Sequence, residues 1–104
     1  SNLSTREDFI LAILFCVAGG LFAQTAFSRG EELFLRNRPR EAAPQLEAAL
    51  LEEPRNEKIY LYLGIAYEQL GNHDRAIALL TRGLEMSIVY RDLFLFNLGN
   101  NRLA

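Results

Sequence analysis

His73 is the only histidine in this chain of 104 residues, and Cys16 is the only cysteine. A metal site built on two or more histidines is therefore excluded within the chain. With one thiol no intrachain disulfide can form, so cysteine usage leaves the redox compartment open. Ser28 and Ser87 have no His or Lys near them in sequence to activate a hydroxyl. The acidic pairs Glu31-Glu32 and Glu52-Glu53 are adjacent residues, which diverge on a helix rather than converge, so they read as solvated faces. Gly19-Gly20 and Gly71 lack the strand–turn–helix context of a phosphate loop. No catalytic constellation emerges, so neither an enzymatic reaction nor a cofactor nor a bound metal is expected.

Charge and composition narrow the partners. Half of the residues are hydrophobic and 23% are charged, as in an ordinary folded domain, and the length suits one domain. The formal net charge of -2 argues against nucleic acid, which calls for clustered Lys and Arg. Arg36, Arg38 and Arg40 form the one local basic cluster, and they surround an expected turn, where they read as solvated.

The first part of the chain differs from the rest. No charge occurs over residues 9–28, and residues 9–23 are apolar all round, so a helix there must be buried in protein or lipid. That 15-residue core is short for a spanning helix and suits the apolar region of a signal peptide, while the full 20 residues could just span. Gly19, Gly20 and Ala23 make the end of the run small, and cleavage after Ala23 would leave Gln24 as the new N-terminus. Leu21, at the minus-three position, is poorer than a small residue there. The flank Arg6-Glu7-Asp8 is net negative, against the export pattern. Ser4-Thr5-Arg6-Glu7 fits a capping box, which would suit a buried core helix. Phe15 directly before Cys16 speaks against a lipidated cysteine. A cleaved signal peptide is the leading expectation, then a membrane anchor, then a core helix. The chain is thus expected to be exported, periplasmic or membrane-anchored, with a cytoplasmic location as the alternative.

Beyond that run the chain repeats. A shift of 34 residues brings Gly30 onto Gly64, Leu33 onto Tyr67, Ala42 onto Ala76, Leu46 onto Leu80, Ala49 onto Gly83 and Leu50 onto Leu84. Small and large residues alternate at these sites, as they must where helices approach closely and bulky side chains fill the gaps. Tyr60-x2-Leu63-Gly64-x2-Tyr67 followed by Ala76-x3-Leu80 resembles the tetratricopeptide (TPR) pattern W-x2-L-G-x2-Y, A-x3-F. The segment 70–77 is similar to the turn and second-helix start of such a repeat. An upstream copy reads Gly30-x2-Leu33, Ala42-x3-Leu46, Ala49-Leu50 and Pro54, and a third begins at Phe96-Asn97-Leu98-Gly99-Asn100. The departures are specific. Leu63-Gly64 to Leu98-Gly99 is 35 residues, so one residue is inserted between Ser87 and Asp92. Ile88 stands where the family often has Pro, Arg102 where an aromatic is usual, and Arg29 where Leu is usual. Pro39 and His73 stand where Tyr is usual. His73 therefore reads as a packed turn residue rather than a general base.

The resemblance implies an all-α fold of stacked antiparallel helix-turn-helix repeats, forming a short right-handed superhelix and preceded by an apolar N-terminal helix. Its divisions are residues 1–23 for the apolar segment and 24–104 for the TPR domain. Repeat one covers about 23–56, repeat two about 57–91, and a third starts at about 92. Pro39 suits a first helical turn, Asn56, Asn72 and Asp92 are candidate N-caps, and Gly71 is a C-terminal stop. Leu93, Phe94, Leu95, Phe96 and Leu98 crowd the last helix. Leaving each large side chain in water forgoes roughly 1.5–3 kcal/mol. Further repeats, or self-association through that open helix, are expected to cover them.

The family's function would be to hold another protein or peptide in the groove lined by the first helix of each repeat. By repeat position the groove residues are Phe27, Glu31 and Phe34, then Lys58, Leu61, Ile65 and Glu68, then Phe96 and Asn100. Leu61, Ile65 and Phe96 could equally pack between helices. Asn100 matches one Asn of the carboxylate clamp found in some relatives, but no basic partners accompany it, and no clamp is expected. The leading expectation is a protein-binding scaffold in a bacterial envelope assembly, with membrane attachment through residues 9–28 as one form of tethering. Two alternatives stay open: a regulatory segment of a larger enzyme, and a carrier of a hydrophobic ligand.

Overall fold

A computed structural model describes residues 24–87 and 89–103. The apolar segment 1–23, with Cys16 and the capping-box residues, lies outside the described residues, as does Ile88. Five helices follow one another: α1 (Ala26–Leu35), α2 (Pro39–Glu52), α3 (Glu57–Gln69), α4 (His73–Met86) and α5 (Arg91–Leu103). Among the described residues there is no strand, and no helix is long and apolar enough to cross a membrane.

Local chemistry sets the helix ends. Thr25 caps α1 by accepting the Ser28 N–H at 3.0 Å, and the first turn of α1 takes up the last residues of the uncharged run. Asn56 caps α3 through the Lys58 N–H at 3.1 Å, and Asn72 caps α4 through the Arg75 N–H at 3.2 Å. Pro39 occupies the first turn of α2, where a missing N–H leaves no bond unmade. Asp92 departs from expectation: α5 begins at Arg91, so Asp92 sits in its first turn, where a carboxylate still complements the helix dipole. Pro44 lies inside α2 without ending it.

The turns after α1 and α3 are copies of each other. Asn37 (φ 60°) and Gly71 (φ 82°) stand 34 residues apart, both in the left-handed region. Asn37 N–H donates to Phe34 and Arg38 N–H to Leu33, and likewise Gly71 N–H donates to Glu68 and Asn72 N–H to Tyr67. This is the Schellman arrangement, which tightens a helix end and reverses the chain. Each reversal lays the next helix back on the first, so α1 packs on α2 and α3 on α4.

The pairs then stack through α2–α3 and α4–α5. Cα atoms of α1 and α3, and of α3 and α5, also come within 8 Å, whereas those of α2 and α4 do not. The odd-numbered helices are therefore the tighter layer. Leu46, Ile59, Leu63, Leu80 and Phe94 are fully buried between the layers. Gly30 receives Leu46 and Gly64 receives Leu80, while Gly83 admits the Phe94 ring.

Polar bonds tie the pairs together. Tyr67 Oη donates to Glu47 at 2.7 Å, and Arg75 Nη2 donates to the same carboxylate at 3.1 and 3.3 Å. Three helices, α2, α3 and α4, meet in that cluster. Further along, Ser87 Oγ donates to Glu57 at 3.2 Å and accepts the Tyr90 N–H at 2.9 Å, fixing the entry to α5. His73 Nδ1 lies 3.0 Å from Asn101 Oδ1, while Asn101 Nδ2 donates to the Asn97 carbonyl at 2.8 Å. Asn101 thus presents its acceptor to the ring, and Nδ1 of His73 carries the donated proton. His73, the first residue of α4 rather than part of the turn, thus bridges α4 and α5.

Candidate functional site

The first helix of each repeat supplies one wall, made of α1, α3 and α5. On α1, Phe27, Glu31 and Phe34 follow at spacings of four and three, which places them on one face. On α3, Lys58, Tyr62 and Ile65 follow the same spacings, with Glu68 three further on. Because α1 and α3 lie side by side, these faces adjoin. Tyr62 stacks on Phe34 with ring centres 4.7 Å apart and planes 19° apart. It also lies nearly parallel to Phe27, at 6.4 Å and 6°. Such offset stacking contributes about 0.5–1.5 kcal/mol beyond burial, and it joins repeat one to repeat two across the wall.

The polar groups gather at the same place. Burial raises the pKa of the Tyr62 phenol, and the Glu31 carboxylate raises it further, while Lys58 works in the opposite direction. Tyr90, just before α5, adds a smaller upward push. Glu31, Lys58, Tyr62 and Tyr90 thus share one neighbourhood that draws on repeat one, repeat two and the connection into α5.

Phe27, Glu31, Phe34, Lys58, Ile65 and Glu68 are half-buried, each keeping part of its surface in solvent. Phe96 is 67% exposed and Asn100 is exposed, so both are open on α5. Leu61 departs from the expected groove set: it is 5% exposed and belongs to the core. It underpins the wall and offers almost no surface to a ligand. Sequence reasoning missed Tyr62 and Tyr90. Tyr62 could have been found, since it stands four after Lys58 and three before Ile65 and so shares their helical face. Tyr90 lies in the inserted connection, where helical spacing gives no guide.

Among the described residues no group of three His, Cys, Asp or Glu side chains is placed to hold a metal ion. A shallow cavity of about 530 Å³ opens elsewhere, lined by Pro54, Arg55, Glu57, Tyr60, Arg82 and Met86. It shares no residue with the wall. Its Tyr60 hydroxyl is already engaged with the Pro54 carbonyl at 2.7 Å, and Arg82 with Glu85 at 3.2 Å.

Paired helices with a 34-residue period, glycine notches filled by leucines at that period, and duplicated reversals define a helical repeat protein. The family model for the tetratricopeptide repeat matches residues 27–88, and the chain belongs to that family. Comparison with curated proteins and with solved structures gave no match.

Proposed function

We propose that the chain is a binding module rather than a catalyst, and that it holds a peptide or a partner protein against the wall of α1, α3 and α5. Tetratricopeptide repeats generally mediate protein–protein interaction, which supports the class of activity. The observation that carries the choice of surface is the Phe27–Tyr62–Phe34 ring stack, half-buried and flanked by charged groups. Aromatic side chains give large contact area, and nearby polar groups fix register, which is how grooves take extended or helical peptides. The short right-handed superhelix expected of stacked repeats would make the tighter odd-numbered layer its inner side.

Selection of a random peptide library on the immobilised chain tests this reading. Recovered peptides are expected to lose most of their affinity for an Ile65→Asp, Tyr62→Ala variant that keeps its helical circular dichroism. Unchanged affinity for that folded variant overturns the choice of wall.

The same proposal places the module outside the cytoplasm, exported or tethered in a bacterial envelope assembly. The uncharged run over residues 9–28 supports this. A mature protein beginning at Gln24 is expected from N-terminal sequencing. A water-soluble protein that retains the run overturns the location without touching the groove.

A further inference from the structure

Resting on the groove reading, we infer that the wall selects a basic amphipathic segment, with apolar residues lying along the Phe27–Tyr62–Phe34 rings and Lys or Arg facing Glu31 and Glu68. The carboxylates of the wall lack the counter-cations that several carboxylates off it have. Glu32, Glu41, Glu47 and Glu85 each have an arginine within 4 Å. Glu31 and Glu68 have none among the described residues, although both are half-buried. A half-buried carboxylate that has lost part of its hydration and has no counter-cation binds an incoming cation more strongly than an exposed one does.

Lys58 is the one cation on the same faces, so the groove set carries two carboxylates against one ammonium. The spacing suits a peptide rather than a lone ion. Glu31 stands on α1 between Phe27 and Phe34, and Glu68 stands one turn past Ile65 on α3. Each carboxylate thus borders apolar surface, and a ligand must alternate apolar and basic groups to satisfy both. An acidic segment would meet two like charges and one opposite one, and the wall would reject it.

Fluorescence anisotropy with labelled peptides of repeating Leu-Lys-Lys-Leu and Leu-Glu-Glu-Leu tests the inference on the full 104-residue chain. The basic peptide is expected to bind and the acidic one to fail. Binding should weaken with salt, because the screening length shrinks from about 10 Å at 0.1 M to about 3 Å at 1 M. The double change Glu31→Gln, Glu68→Gln is expected to weaken the basic peptide roughly two- to tenfold. The control Glu52→Gln, Glu53→Gln removes the same charge from residues at the far end of α2 and should leave binding unchanged. Equal binding of the two peptides, or an equal loss in the control, overturns the charge selection and leaves the groove standing. Failure of both peptides to bind, at concentrations where library-selected peptides do bind, also overturns it. If library-selected peptides fail too, the groove reading itself falls.

Discussion

A Cβ atom placed on Gly64 would lie 2.6 Å from Cδ2 of Leu80, closer than real carbon atoms approach. The same notch recurs one repeat earlier, where a Cβ on Gly30 would lie 2.7 Å from Cδ2 of Leu46. On α5 the corresponding Gly99 meets nothing within 4 Å. Gly64→Ala is therefore expected to destabilise the fold by about 1–3 kcal/mol, since the added methyl must displace a buried leucine. Gly99→Ala should instead be neutral or stabilising by up to about 1 kcal/mol, through helix propensity alone. Denaturant melts of the two variants measure the contrast. Equal effects would mean the notch is looser than the geometry requires.

Glu47, Tyr67 and Arg75 are expected to couple repeat one to repeat two. Glu47→Gln weakens the charge-assisted bonds from both Tyr67 and Arg75 at once, and Tyr67→Phe removes one hydroxyl donor, about 0.5–1.5 kcal/mol for a single bond. A double-mutant cycle on these two positions should show non-additivity, because they share a carboxylate. Strict additivity would show that each bond acts alone.

The same tyrosine gives a pH signature. Burial and the bond to Glu47 raise the Tyr67 pKa above its ordinary 10.0. The unfolded chain therefore loses this proton at lower pH than the folded chain does. Stability from this source is complete below pH 10 and falls as the pH rises through the folded value. Tyr62, whose pKa is also raised, adds to the loss. Tyr67→Phe should flatten the alkaline part of a stability–pH curve relative to the parent. An unchanged slope above pH 10 would count against the buried bond.

Pro44 sits on the exposed side of α2 and cannot donate to the carbonyl four residues before it. Pro44→Ala is expected to raise stability by about 1–3 kcal/mol, somewhat less than the full interior cost because proline also restrains the unfolded chain. Thermal unfolding followed by circular dichroism reads this directly. A lowered midpoint would show that the bend proline imposes is needed for packing.

Leu93, Leu95 and Phe96 are 48%, 46% and 67% exposed, which leaves an apolar face on α5. Concentration-dependent association in sedimentation equilibrium is expected for the 104-residue chain, and Phe96→Glu should abolish it. A monomer at every concentration would remove self-association from the account.

The repeat itself was legible without coordinates, because its period is set by local rules. Glycine and asparagine at positions 71 and 37 can enter the left-handed region, Asn56 and Asn72 can cap, and small residues must sit where Leu46 and Leu80 intrude. Each requirement acts within one helix pair, so residue type and spacing express it. Of the residues the sequence assigned to the wall, Phe27, Glu31, Phe34, Lys58, Ile65 and Glu68 retain partial exposure on adjoining faces. What the sequence could not supply was the neighbour each side chain meets across repeats. Leu61 and Ile65 share one helix and similar chemistry, yet the first is 5% exposed and the second half-buried. Tyr62 joins the proposed wall only because α1 lies close enough for Phe34 to reach it at 4.7 Å. Burial and stacking depend on where a second helix comes to rest, and that position is the sum of all the packing contacts, which no single stretch of sequence encodes.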